Sequence, residues 1–201
     1  MPRIIAVIPA KTQSNRVQNK NLRDLCGKPL YRYALDNCVA ANVFEKIYLS
    51  SDGILDTDLK ATLHNRQMPL CGDVPASEVA REVVRDMYAD VLTIPEWTCL
   101  VQPTSPCLRS STLAAAAGLC AEDVDAVIAH APEALGAPCG AFYFVRTYML
   151  LHMVCFADVL RNAETAGRMV WYPISSSEAV DVDCHWHLDL VEMILRGRGH
   201  A

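Results

Sequence analysis

The feature that most constrains this chain is an unbroken apolar run near its start, Ile4-Ile5-Ala6-Val7-Ile8, closed by Pro9. A run of β-formers with no polar alternation describes a strand covered on both faces. Lys46–Ser51 and Cys99–Val101 read as further strands, as do Asp125–Ala129, Ala141–Val145 and Met169–Tyr172. Between them lie helical patterns: one from Pro29 with Tyr33, Ala34, Asn37, Cys38 and Ala41 at helical spacing, a short one over Leu55–Leu63, Ser77–Tyr88 with Ser77 as its cap, alanine-rich Ser111–Leu119, and His187–Leu195. Strands alternating with helices imply an α/β fold with a mostly parallel sheet between two helical layers. Ligands of such sheets sit outside the carboxyl ends of the strands. The segment after Pro9, Asp52, and Gln102-Pro103-Thr104 therefore share one rim. The tail from Arg196 is expected to fray.

Charge is unevenly distributed. The chain carries 18 Lys and Arg against 23 Asp and Glu, a net charge of −5. A net acidic chain argues against a nucleic-acid partner. Seven of the 18 cations nevertheless fall before residue 33: Arg3, Lys11, Arg16, Lys20, Arg23, Lys28 and Arg32. Such a segment is either a solvated basic face or a seat for a compact polyanion such as a triphosphate. Residues 10–21 follow the buried strand and combine three cations with polar side chains, as a phosphate cradle requires. Neither a Walker A loop nor GxGxxG is present. No run approaches the roughly 20 apolar residues of a membrane span. Nine cysteines with no CxxC pair suggest reduced thiols and a cytoplasmic setting.

Two acids stand two apart in Val180-Asp181-Val182-Asp183. In extended backbone both carboxylates point to one side. That suits Mg²⁺, which takes a few carboxylate oxygens and completes its shell with phosphate and water. A solvent-facing strand edge would look the same. His185 and His187 alternate nearby but lack further ligands at zinc spacing.

Taken in order, these segments resemble the cytidylyltransferases that activate acidic sugars, the sialic-acid and pseudaminic-acid class. IAVIPAKTQSNRVQNKNLRDLCGKPL (5–30) is similar to that family's opening, approximately A-R-x-x-S-K-[GR]-x-x-x-K-N. Ser50-Ser51-Asp52 matches S-T-D. Arg66, Leu70, Asp73 and Ser77 match R-P-x-x-L-x-x-D-x-x-x-S in spacing. Gln102-Pro-Thr-Ser-Pro106 with Arg109 matches Q-P-T-S-P, Gly140–Tyr143 matches N-G-A-x-Y, and Tyr172–Asp183 matches the closing I-D-I-D segment.

The resemblance implies a single nucleotide-diphospho-sugar-transferase-like α/β/α domain over residues 1–201. It implies transfer of CMP from CTP to an acidic acceptor with release of pyrophosphate. An anionic nucleophile attacking an anionic α-phosphate needs positioning and charge neutralisation. On this reading Lys20, Arg16 and Lys11 are catalytic. Ala10, Lys11, Ser14, Asn21, Arg66, Ser77 and Gln102 bind the nucleotide, and Asp181 and Asp183 hold Mg²⁺. The chain departs from the pattern at Lys11 (family Arg), Asn15 (family Lys) and Cys139 (family Asn). Only His130–Cys139 fills a stretch where the family places an arm for dimerisation and for the sugar acid. The acceptor is therefore expected to be small, with phosphonoformate favoured over a nine-carbon sugar acid, and turnover-free nucleotide binding as a third reading. A homodimer stays open, and no membrane partner is expected.

Overall fold

The protein is described from a computed structural model covering residues 2–14, 16–58, 60–65, 74–89, 93–131, 138–152 and 156–199. Among these residues, nine strands and six α-helices are placed. The strands are β1 (Ile4–Pro9), β2 (Asp24–Leu25), β3 (Lys28–Pro29), β4 (Lys46–Ser51), β5 (Thr62–Asn65), β6 (Trp97–Val101), β7 (Ala126–His130), β8 (Phe142–Arg146) and β9 (Met169–Pro173). The helices are α1 (Leu30–Ala41), α2 (Ala76–Tyr88), α3 (Ser110–Ala117), α4 (Thr147–His152), α5 (Phe156–Thr165) and α6 (His185–Gly197). A 3-10 turn occupies Lys20–Leu22. Among the described residues, no helix is long and apolar enough to cross a membrane.

Seven strands form one sheet in the order β5-β4-β1-β6-β8-β7-β9. β1 lies inside it, flanked by and parallel to β4 and β6, with Val7 level with Tyr48 and Leu100. This is why Ile4–Ile8 is apolar at every position. Ile4, Ala6 and Ile8 pack with Leu35, Trp97 and Leu113 beneath α1 and α3. Ile5 and Val7 pack with Ala80, Val83 and Val84 of α2 on the opposite face. A mostly parallel sheet between helical layers is thus observed. β8 departs from it, running antiparallel to both β6 and β7.

Three local expectations are corrected. The described residues of Leu55–Leu63 do not form a helix. Asp56 Oδ1 accepts the Asp58 N–H at 2.9 Å, Asp58 has φ 46°, and the chain turns into β5, which pairs with β4. An aspartate bonding its own backbone offers an alternative to helical hydrogen bonds. Ser77 does not cap α2; the helix begins at Ala76, and the Pro75 carbonyl takes the N–H groups of Glu78 and Val79. The segment from Arg196 does not fray within the described residues. Arg198 donates to the Cys107 carbonyl at 2.5 Å and to Ser177 Oγ at 2.8 Å, closing α6 onto the body of the protein.

Candidate functional site

The rim at the carboxyl ends of β1, β4 and β6 carries the polar residues. Ala10 is buried, and its N–H is engaged by the Ser50 carbonyl at 2.8 Å. Asp52, just beyond β4, accepts the Thr12 N–H at 2.6 Å. A Cβ at Gly53 would come within 2.9 Å of Thr12 Cγ2, so a side chain there would collide with this loop.

Ser14 shapes the rest of the loop. Its Oγ donates to the Val17 carbonyl at 2.5 Å and accepts the Lys20 N–H at 2.8 Å. Asn19 is left-handed at φ 52°, a conformation asparagine tolerates. The turn that follows buries Asn21, whose Nδ2 donates to the Lys11 carbonyl at 2.8 Å. Asn21 Oδ1 is buried with no hydrogen-bond partner among the described residues. An unanswered buried acceptor costs about 1–3 kcal/mol, and a donor from a ligand would relieve it.

The acidic pair arrives from the other end of the chain. Val182 is fully buried with Leu30, Val191 and Leu195, so the aspartates on either side of it face away from that cluster, as extended alternation requires. The Val182 N–H donates to the Thr104 carbonyl at 2.8 Å, tying this segment to the loop after β6. Asp183 Oδ1 lies 2.9 Å from Arg16 Nη1 and 3.5 Å from Lys20 Nζ. Lys20 Nζ also donates to the Val182 carbonyl. Asp181 Oδ1 is buried without a hydrogen-bond partner among the described residues. Burial pushes the Asp181 carboxyl above its ordinary value, the Asp183 charge adds to the rise, and Thr104, Lys20 and His187 oppose it.

The basic segment divides. Arg3 pairs with Glu45 at 2.8 Å. Lys28 pairs with Asp36 at 2.7 Å, and Arg32 pairs with Asp36 and Asp58. Those three belong to a salt-bridged surface. Arg16 and Lys20 meet the acidic pair, in the loop that also holds Lys11. Gln102 follows β6 and anchors through its N–H to the Ala141 carbonyl at 3.1 Å. Ser77 is buried in the first turn of α2. Arg66 and Asn15 lie outside the described residues.

Sequence reasoning missed the supports. His187 is not placed as a zinc ligand here; its Nδ1 accepts the Asp183 N–H at 3.0 Å, fixing the backbone at the start of α6. Glu178 was also overlooked. Its Oε1 accepts from the Arg109 N–H at 3.1 Å and from Thr112 Oγ at 2.6 Å, so the segment before the acidic pair braces the start of α3. The Asp183-x-x-x-His187 spacing was available as a signal for the first; nothing local signals the second.

Comparison with known proteins bears on the family and the fold. A family model described as cytidylyltransferase matches residues 5–133. Pseudaminic acid cytidylyltransferase of Campylobacter jejuni is 30% identical over 114 residues, covering 54% of this chain and 49% of that protein. N-acylneuraminate cytidylyltransferase of Escherichia coli is 32% identical over 114 residues, covering 55% of this chain and 26% of that protein. The chain thus spans about half or less of the length of these curated relatives. Among solved structures, CMP:2-keto-3-deoxy-manno-octonic acid synthetase complexed with CTP aligns with TM-score 0.70 at 12% identity, over 98% of this chain and 99% of that one. A nucleotidyl transferase from Methanothermobacter thermautotroptrophicus aligns with TM-score 0.71 at 16% identity, over 97% and 99%. These two likenesses establish the nucleotide-diphospho-sugar-transferase-like fold. With the family model spanning more than half of the residues, and its first 17 positions covering the loop that carries Lys11, Arg16, Lys20 and Asn21, the chain belongs to the cytidylyltransferase family.

Proposed function

We propose that this chain transfers CMP from CTP to an acidic acceptor, releasing pyrophosphate. The observation that carries the reading is the meeting of Arg16 and Lys20 with Asp183, beside the buried, unpartnered Asp181 Oδ1. Opposite charges from residues 16–20 and 181–183 are brought to one rim, where a metal-bound triphosphate carries the complementary pattern.

The donor set fits a hard dication. Asp181 and Asp183 offer only oxygen, and one of those oxygens has no hydrogen-bond partner among the described residues. Together with phosphate and water they would hold Mg²⁺. When bound, the ion supplies charge neutralisation at the phosphates. The chain's own groups do the rest. Lys20 and Arg16 neutralise charge as it moves onto the departing pyrophosphate. Lys11 adds a third cation from the same loop. Asn21 Oδ1 and the Gln102 amide orient the nucleoside, the latter presenting both a donor and an acceptor to a base edge. The acceptor oxygen forms the new bond to the α-phosphorus as the bond to the bridging α–β oxygen breaks. Arg66, Ser14, Ser77 and Ala10 complete the nucleotide site in this reading.

The relatives named for pseudaminic acid, N-acylneuraminate and N,N'-diacetyllegionaminic acid favour a carboxylated sugar as the acceptor. The ten residues His130–Cys139, running from the last residue of β7 toward β8, favour a second reading, a compact acceptor such as phosphonoformate on a single 1–201 domain lacking most of the family's arm. Pyrophosphate release from CTP and Mg²⁺ should be measured against a panel of nonulosonic acids and small phosphonates. Acceptor-dependent release identifies the class. CTP binding with no release for any acceptor overturns the catalytic reading in favour of a nucleotide-holding protein.

A further inference from the structure

Away from the acidic pair, the edge strand and α2 bring together three side chains that the reaction does not use. His64 lies in β5, level with Ser50 of β4. It is 4% exposed. Its Nδ1 lies 3.1 Å from Ser50 Oγ and its Nε2 lies 3.1 Å from Asp86 Oδ2. Glu82 stands one turn before Asp86 on α2, so both carboxylates share one face of the helix. One ligand atom from each of His64, Glu82 and Asp86 lies within 4.8 Å of the other two.

We propose that His64 Nε2, Glu82 and Asp86 form a site for a zinc-class dication that ties the edge strand to α2. A dication between the imidazole and the two carboxylates would gain attraction from both acids at once. With a metal bound, the Ser50 hydroxyl would accept from Nδ1–H and the Nε2 lone pair would face the carboxylates, the way a neighbouring hydroxyl presents a histidine to a metal. One nitrogen and two oxygens suit Zn²⁺, whereas Mg²⁺ selects the all-oxygen pair at the rim. Three protein ligands leave a fourth position for water, on the side where Asp86 is exposed. The site joins β5 to α2, and Arg66 follows His64 by two residues. Its role is therefore structural, holding the edge of the sheet against α2.

The test uses the full chain, stripped with chelator and titrated with Zn²⁺ by calorimetry and with Co²⁺ by absorption. Expected is one equivalent bound, a rise in Tm, and Co²⁺ bands without thiolate charge transfer. Glu82→Gln with Asp86→Asn should weaken that equivalent by at least about 100-fold; both substitutions keep the side-chain shape, so the variant should fold. Asp181→Asn with Asp183→Asn should leave it in place. Unchanged Zn²⁺ binding in the Glu82/Asp86 variant, thiolate bands with Co²⁺, or no rise in Tm with either metal would each overturn the assignment and reduce the trio to a hydrogen-bonded cluster.

Discussion

Lys20 and Arg16 touch the same carboxylate oxygen but not from equivalent places. The Lys20 side chain is 12% exposed and that of Arg16 is 71% exposed. Electrostatic stabilisation grows as water is excluded, and exposed pairs contribute little. Lys20→Ala should therefore lower kcat by about 100-fold or more with a smaller change in CTP affinity, and Arg16→Ala by only about tenfold; steady-state kinetics on the two variants checks the order. Asp181 makes a different prediction. Its folded-state pKa is raised, so the native protein binds the proton more tightly than the unfolded chain. Ionised Asp181 then costs stability at neutral pH, and the cost fades as pH falls through the raised value. Asp181→Asn should raise Tm at pH 7 while abolishing turnover, and its advantage over the unsubstituted protein should shrink on acidification. A constant advantage across pH, followed by thermal melts, would contradict the assigned burial effect.

Among the elements, α3 depends on a residue nearly seventy positions away. Burial alone would raise the Glu178 carboxyl, but hydrogen bonds from Thr112 and Ser175 and from the Arg109 and Ser175 N–H groups overcome it and hold it below the ordinary value. Glu178→Leu should leave the Arg109 N–H and the Thr112 hydroxyl without their acceptor and destabilise the fold by about 1–3 kcal/mol. Because the carboxyl is depressed in the native state, its contribution is complete above the unfolded-state pKa and is lost as pH falls through the folded one; urea melts at pH 7 and at low pH should show the variant's penalty shrinking. Elements of this kind differ in how much of them the chain spells out locally. β1, β4 and the helices α1 and α2 could be read because burial imposes an uninterrupted or 3.6-fold pattern on consecutive residues. The Asp181–Asp183 alternation was readable for the same reason, with Val182 as its buried partner. The direction of β8 was not, since a strand covered on both faces looks alike whichever way it runs. Leu55–Leu63 misled because its leucines fall at helical spacing while Asp56 and Asp58 set turns. The meeting of His64 with Glu82 and Asp86 is invisible locally, being made only when a strand and a helix pack.

At the scale of the whole molecule, residues 10–21 and 181–187 are held against one another by the sheet on one side and α6 on the other, with Arg198 fastening that helix to Cys107 and Ser177. Arg198→Ala should lower Tm by about 2–4 °C, a shift readable by calorimetry, and should raise the CTP concentration needed for half-maximal rate. The pairing of Asp183 with both Arg16 and Lys20 has a consequence for traffic through this mouth. Two positive charges and one negative charge cancel to a single positive charge, so an approaching triphosphate meets a gate whose attraction is largely muted. Steering over a Debye length is correspondingly weak, and association of free CTP should depend only shallowly on ionic strength. Supplying Mg²⁺ should steepen that dependence, because a dication engaging Asp183 unmasks both cations at once; the nucleotide and its counter-ion would then gain entry as a couple, each reporting the other's arrival.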